Sequence, residues 1–167
     1  MSAAPCSAKL GGALFLLAGP GLEAGVGPWL LTGLDTGDGL PGPWALRAAG
    51  GVLIAAGLIV LADAFVRLAR EGLGTPSPAA PPSVLVATGA YRHVRHPMYA
   101  ATTAVIAGEA LLLREPVLLL GAAMYVATLC ALVRFREDPL LRRRFGAAHD
   151  EYRAAIPGWW PRLRLRR

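Results

Sequence analysis

The chain has 167 residues, of which 54% are hydrophobic and 17% are charged, and its formal net charge is +6. A water-soluble domain of this length would lack polar side chains for its surface, so the composition favours a membrane protein. Ten of the seventeen basic residues fall between Arg134 and Arg167, after the last apolar run. This placement indicates attraction to anionic membrane lipids and argues against nucleic acid as a partner.

Two apolar runs occupy the N-terminal part of the chain. The first covers residues 10–31, where it carries Glu23, and the second covers residues 44–66, with Asp63 near its end. Each is close to the length of about 20 residues that a membrane-spanning helix needs. We therefore predict that residues 1–71 form a pair of transmembrane helices. The prolines of residues 72–83 then predict an irregular linker.

Two further apolar runs follow the linker, at residues 98–113 and 116–133. Because only Arg114 and Glu115 separate them, we predict a tight antiparallel helical hairpin whose second arm starts at Pro116. Four small residues are expected to let the two arms approach closely. They are Gly108, Gly121, Ala122 and Ala123.

Basic residues near the span ends predict the orientation. Residues 32–43 contain no Lys or Arg, whereas residues 67–95 contain four Arg, so both termini and the linker are expected on the cytoplasmic side. After Pro139, one helical face carries Leu141, Phe145, Ala148 and Tyr152, which predicts an amphipathic interfacial helix. Trp159 and Trp160 are expected at head-group depth.

The predicted fold is therefore an all-α integral membrane protein. It has about four transmembrane helices, of which the last two form the hairpin, and it ends in the interfacial amphipathic helix.

The segment 88–99, TGAYRHVRHPMY, places two His, two Arg and two Tyr directly before the third apolar run. Pro97 favours a helix start and an extended His96, so the free amides of the first helical turn face the interface and suit a carboxylate. The alternative interpretation is that the basic side chains extend to the membrane interface and that the tyrosines anchor the helix there. His93 and His96 lack a third neighbouring ligand, so we predict no metal site.

A second charged cluster contains the adjacent carboxylates Glu137 and Asp138, close to Arg134. Because the hairpin returns the chain to its starting side, this cluster is expected to face the first one. A pocket between them would suit a zwitterion. Its acidic groups would bind an ammonium or hydroxyl groups of the ligand, and its hydrogen-bond donors would bind a carboxylate. A salt-bridged helix end is the alternative.

The order of these features resembles the superfamily of isoprenylcysteine carboxyl methyltransferases and phospholipid N-methyltransferases. The shared features are a glycine followed by a tyrosine, RHPMY, an apolar hairpin, an Arg with an acidic pair, and Phe145-Gly146 followed by a tyrosine before a proline. The resemblance spans about residues 83–161. It implies S-adenosylmethionine as the cofactor, held under the cytoplasmic segments without a Rossmann fold, and a hydrophobic or lipid-like methyl acceptor. Residues 84–167 are thus expected to be the cofactor-binding half.

Carried over residue by residue, the resemblance implies catalytic roles for Arg134, which would orient the acceptor, and for Glu137. It also implies a set of cofactor contacts. These are Leu85, Val86, Tyr91, His96, Pro97, Met98, Tyr99, Glu137 and Asp138. Asp138 departs from the superfamily, which usually has a second glutamate at this position.

Methyl transfer from a sulfonium depends mainly on positioning. A carboxylate acceptor needs no general base, whereas an amine must lose a proton, for which an acidic residue or His96 is the candidate. A thiol is a third candidate acceptor. Two other functions are alternatives: a small four-helix transporter using Glu23, and a membrane scaffold without catalysis.

Overall fold

The structure is a computed structural model that describes residues 17–35, 42, 44–72 and 83–159. Within these ranges every regular element is helical, which confirms the all-α part of the predicted fold. The elements are α1 (Leu17–Val26), α2 (Gly27–Thr32), α3 (Trp44–Arg70), a 3₁₀ turn (Gly89–Arg92), α4 (Pro97–Leu113), α5 (Pro116–Leu132), α6 (Asp138–Phe145) and α7 (Ala147–Ala155).

The described residues cover only part of the first predicted span. α1 has π-helical geometry and contains Pro20, which lacks the N–H that a regular helix uses. α2 follows it directly and ends at Thr32, before Gly33, whose φ is 64°. Residues 10–16 of that span lie outside the described residues.

Two helices in the described part of the chain are long and apolar enough to cross a membrane: α3, with 27 residues, and the continuous stretch Pro116–Phe145, with 30. At about 1.5 Å per residue each exceeds the hydrocarbon thickness of about 30 Å. Large apolar side chains such as Ile59, Leu120 and Met124 are exposed on them, as expected of a surface that meets lipid. α4 is shorter, with 17 residues. The full number of spans and their orientation remain predictions.

α3 packs along α4, and glycines set how closely the two helices approach. A Cβ added to Gly50 would lie 2.6 Å from the carbonyl oxygen of Gly108, and one added to Gly108 would lie 2.7 Å from that of Gly50. Gly57 meets the Ala101 carbonyl oxygen in the same way, at 2.9 Å. Small residues thus let the two backbones come together without intervening side chains.

This packing corrects the expectation that Gly108 and Gly121 bring α4 and α5 together. Gly108 faces α3 instead, and a Cβ added to Gly121 would meet nothing within 4 Å. The hairpin itself is present: Arg114 adopts a left-handed conformation with φ of 60°, Glu115 is extended, and Pro116 begins α5.

The end of α3 is fastened to the segment that precedes α4. Asp63 forms an ion pair with Arg67 (Oδ1–Nε, 2.9 Å) and accepts a hydrogen bond from the Ala90 amide (3.1 Å). The Ser83 amide donates to the Gly72 carbonyl at 2.9 Å, so the two ends of the proline-rich segment meet. Residues 73–82, most of the predicted linker, lie outside the described residues.

The fourth predicted helix continues beyond its expected end at residue 133. A π-helical turn, Val133–Glu137, joins α5 to α6. Gly146 then breaks the helix, with φ of 54° and ψ of −129°, a conformation that residues with a Cβ rarely adopt. The predicted single amphipathic helix is therefore wrong in form: it is two helices, and the buried residue on α7 is His149 rather than Ala148.

Candidate functional site

A cavity of about 570 Å³ lies between α1, the segment before α4, α4 itself, the α5–α6 helix and α7. Its volume falls within the range of about 300–1,000 Å³ that is typical of small-molecule sites. Every residue predicted to bind the cofactor lines this cavity, except Asp138. The lining members are Leu85, Val86, Tyr91, His96, Pro97, Met98, Tyr99 and Glu137.

His96 stands at the entrance to α4, where Pro97 begins the helix. Its backbone is non-helical, as expected before a proline, and its side chain is buried with only 6% exposure. Burial, helped by the Arg95 charge, lowers the pKa of His96 to about 4, so the imidazole is neutral. Its Nδ1 lies 3.8 Å from Glu137 Oε1, and its Nε2 has no hydrogen-bond partner among the described residues.

Glu137 connects the two charged clusters across the helical hairpin. The hydroxyl of Tyr99, in the first turn of α4, donates a hydrogen bond to Glu137 Oε2 at 3.2 Å. The predicted return of the hairpin to its starting side therefore brings RHPMY and the acidic pair together. Because an ionised carboxylate has about four acceptor positions, Glu137 keeps capacity for ligand hydroxyls or an ammonium.

Asp138 has a different environment from its neighbour. It is buried at the start of α6, where its carboxylate lies 3.4 Å from an Arg95 nitrogen, 3.4 Å from an Arg153 nitrogen and 3.9 Å from His149 Nε2. These contacts join α6, α7 and the segment before α4. The structure thus places Asp138 in the support of the cavity rather than in its lining.

The C-terminal segment closes over the same region. The Tyr152 hydroxyl donates to the Tyr91 carbonyl at 2.6 Å, and the Arg95 amide donates to the Pro157 carbonyl at 2.9 Å. The Trp159 ring lies 5.6 Å from the His96 ring and 6.3 Å from the Tyr99 ring, between centroids. Burial raises the pKa of Tyr152 to about 12, so its phenol stays a hydrogen-bond donor.

A family model described as phospholipid methyltransferase matches residues 46–148, more than half of the chain. The chain belongs to the phospholipid methyltransferase family. The match confirms the resemblance and extends it, because it begins within α3 and so covers the α3–α4 interface as well as the cavity segments from Val84 to Phe145. Neither a curated protein nor a solved structure matches the chain.

This phospholipid methyltransferase family member does not bring Arg134 to the cavity. Arg134 is exposed and lies outside the lining, whereas Arg136 is part of it. A helical signal in the sequence would have indicated Arg136, since four of the lining residues of the α5–α6 helix recur at steps of three or four. They are Leu129, Leu132, Arg136 and Leu140.

Three of the lining residues that were absent from the predicted site of this family member are Glu23, Tyr125 and His149. Tyr125 of α5 and Glu23 of α1 line the cavity and are joined by a hydrogen bond, in which the Tyr125 hydroxyl donates to Glu23 Oε2 at 2.7 Å. His149 of α7 lines it as well and is buried. Glu23, on which the transporter alternative depends, therefore lies in the same cavity as the predicted cofactor residues.

Proposed function

We propose that this member of the phospholipid methyltransferase family transfers a methyl group from S-adenosylmethionine to a hydrophobic, lipid-like acceptor at the cytoplasmic membrane face. One observation carries the proposal. The RHPMY segment and Glu137, which the helical hairpin separates along the chain, line a single cavity. The resemblance assigns both groups to the cofactor.

The chemistry of the lining suits S-adenosylmethionine. This cofactor combines an amino-acid end, ribose hydroxyls and a largely apolar purine. Glu137 and Tyr99 would hold the polar end through hydrogen bonds to the ammonium or the hydroxyls. Apolar side chains such as Val86 and Met98 would pack against the purine. The unpartnered Nε2 of buried His96 is a further group for which a ligand or water would supply a partner.

When bound, the cofactor supplies a methyl group activated by a sulfonium. The residues of the chain then have to bind and orient the cofactor and the acceptor and to exclude water, because the transfer is an in-line displacement that depends on positioning. The hydrogen bond from Tyr99 fixes the Glu137 carboxylate, and the ion pairs of Asp138 fix the helices around it. Neutral His96 is able to form a hydrogen bond to the ligand at Nε2, whereas its lowered pKa makes it a weak base for an acceptor that must lose a proton.

The acceptor side of the proposal rests on the apolar wall and on the family. Leu129, Leu132 and Leu140 line the cavity from the α5–α6 helix, whose outer surface is apolar and exposed. A lipid tail would lie against this wall. Arg136, rather than Arg134, is the arginine that we assign to an anionic part of the acceptor, because it is exposed and lines the cavity.

Ligand binding to the full chain in nanodiscs tests the proposal. Isothermal titration with S-adenosylmethionine, or with its demethylated product S-adenosylhomocysteine, is expected to give saturable binding. Tyr99→Phe removes one hydroxyl and is expected to weaken binding less than Glu137→Gln does. Glu151→Gln is the matched control, because Glu151 is exposed on α7 and does not line the cavity. Absence of binding by the unchanged chain at near-millimolar ligand would overturn the proposal.

A further inference from the structure

A second cavity, of about 670 Å³, lies where the end of α3 meets the segment before α4. Its lining includes Asp63, Arg67, Thr88 and Gly89, and among the described residues it shares no lining residue with the first cavity. The resemblance assigns none of these four residues to the cofactor, so the proposed function leaves them without a role. Their contacts nevertheless reach Tyr91, which lines the first cavity.

The Arg67 side chain forms a network between α3 and the 3₁₀ turn. Its Nε lies 2.9 Å from Asp63 Oδ1, and its Nη1 lies 3.1 Å from Glu71 Oε1 and donates to Thr88 Oγ1 at 3.4 Å. The Thr88 hydroxyl in turn donates to Glu71. Two carboxylates, four residues before and four residues after Arg67, thus hold its guanidinium beside the start of the turn.

Gly89 is the residue against which the Arg67 guanidinium lies. Its φ of 53° falls in the left-handed region, which a residue with a Cβ rarely adopts. A Cβ added there would overlap the Nε, Cδ and Cζ atoms of Arg67. The next amide, that of Ala90, donates to Asp63 Oδ2 at 3.1 Å. The ion pair of α3 therefore fixes the start of the turn by contact at Gly89 and by a backbone hydrogen bond at Ala90.

The 3₁₀ turn determines where Tyr91 lies. The Tyr91 amide donates to the Thr88 carbonyl at 3.0 Å, and the Tyr91 side chain is buried and lines the first cavity. From α7, the Tyr152 hydroxyl donates to the Tyr91 carbonyl. Tyr91 is thus held by α3 through the turn and by α7 through its own carbonyl.

The exposure of the ion pair indicates how far its effect extends. The side chains of Arg67 and Asp63 are 34% and 39% exposed, and an ion pair that solvent reaches contributes little to the stability of a whole protein. A short 3₁₀ turn, in contrast, has few hydrogen bonds of its own, and their geometry is poorer than in an α-helix. Loss of the pair is therefore expected to move the turn without unfolding the chain.

We propose that Asp63 and Arg67 are positioning residues for cofactor binding, because they fix the turn that places the Tyr91 side chain in the first cavity. The proposal rests on the proposed function. It adds two residues of α3 that act through Tyr91 rather than by touching the cofactor.

Binding of S-adenosylhomocysteine to the full chain in nanodiscs measures the effect. Arg67→Ala and Asp63→Ala are each expected to raise the Kd by about fivefold or more, the scale of one lost contact. Asp63→Asn keeps an acceptor for the Ala90 amide and is expected to raise the Kd by less. Arg70→Ala is the matched control, because Arg70 is exposed on the same helix and lines neither cavity, and its Kd is expected to be unchanged.

A fluorine label on Tyr91 separates positioning from a general loss of stability. With 3-fluorotyrosine in place of Tyr91, the ¹⁹F resonance of the ligand-free chain in detergent reports the surroundings of this ring alone. Arg67→Ala is expected to shift or broaden this resonance while lowering the Tm by less than about 4 °C. Arg70→Ala is expected to leave the resonance and the Tm unchanged.

The outcomes that contradict the positioning role differ from those that contradict the proposed function. The role is overturned if the unchanged chain binds S-adenosylhomocysteine and Arg67→Ala binds it equally well, or if the Kd rises while the ¹⁹F resonance stays the same. A fall in Tm well beyond about 4 °C would make the ion pair part of the general stability of the fold and would also overturn the role. If the unchanged chain itself does not bind S-adenosylhomocysteine, the proposed function fails, and the positioning role fails with it.

Discussion

A methyl group added at Gly50 tests the close packing of α3 on α4, which holds the segments around the cavity. The Cβ of Gly50→Ala would lie 2.6 Å from the Gly108 carbonyl oxygen and 2.8 Å from the Leu112 amide nitrogen. Both atoms belong to the backbone of α4, so neither is able to rotate away. Gly51, the next residue, offers a matched control, because a Cβ there would meet nothing within 4 Å.

The magnitude follows from these distances. Ordinary van der Waals contact for a Cβ begins near 3.4 Å, so the two helices must separate by about 0.8 Å at Gly50. Overpacking of this kind costs about 1–3 kcal/mol, and replacing a helical Gly by Ala returns about 0.5–1 kcal/mol. The net expectation for Gly50→Ala is a loss of up to about 2.5 kcal/mol. Gly51→Ala has only the favourable contribution of replacing a helical Gly by Ala, so its unfolding free energy is expected to increase by about 0.5–1 kcal/mol.

Thermal unfolding of the two variants in the same detergent measures the difference. At about 2–4 °C per kcal/mol for a chain of this size, Gly50→Ala is expected to lower the Tm by up to roughly 10 °C and Gly51→Ala to raise it slightly. Equal Tm values for the two variants would refute the close approach of α3 and α4 at this position.

Three further predictions concern the cavity. The unfolding free energy is expected to fall by up to about 3 kcal/mol as the pH decreases from 6.5 to 4, because the unfolded chain binds a proton at His96 that the folded chain excludes. Chemical unfolding at several pH values measures this dependence, and its slope is expected to be smaller in His96→Gln. Asp138→Asn is expected to speed amide hydrogen exchange in α7 by about tenfold or more, since the ion pairs that fasten α7 are lost, and unchanged exchange would contradict that role. Arg136→Ala is expected to lower kcat/KM for an anionic acceptor lipid more than Arg134→Ala does, as measured with labelled methyl groups, and the reverse order would restore Arg134 to the site.

The features that local sequence signals determine were predicted well. Pro97 and Pro116 mark the starts of α4 and α5, because proline suits the first turn of a helix, and the two residues between the apolar runs leave room only for a hairpin. That hairpin explains why RHPMY and Glu137 meet. The resemblance supplied the identities of the lining residues, and the structure places all of them but Asp138 and Arg134 around one cavity.

The features that depend on contacts distant in the chain were not predicted. Nothing local indicates that Gly108 faces α3 instead of α5, since a small residue permits close packing on any partner. The charged residues after residue 133 were interpreted as the end of a helix. They end only its apolar part, because the helix itself continues to Phe145. The burial of Asp138 among basic groups of three different segments is likewise a property of the folded chain.

Crosslinking tests most directly whether the cavity holds the cofactor. The full chain in nanodiscs is irradiated with methyl-labelled S-adenosylmethionine, and the labelled peptides are mapped by mass spectrometry with and without excess S-adenosylhomocysteine. The expected adducts lie within residues 85–99 and in the α5–α6 helix around Glu137, and S-adenosylhomocysteine is expected to suppress them. Adducts that S-adenosylhomocysteine does not suppress, or adducts confined to segments away from the cavity, would contradict the account.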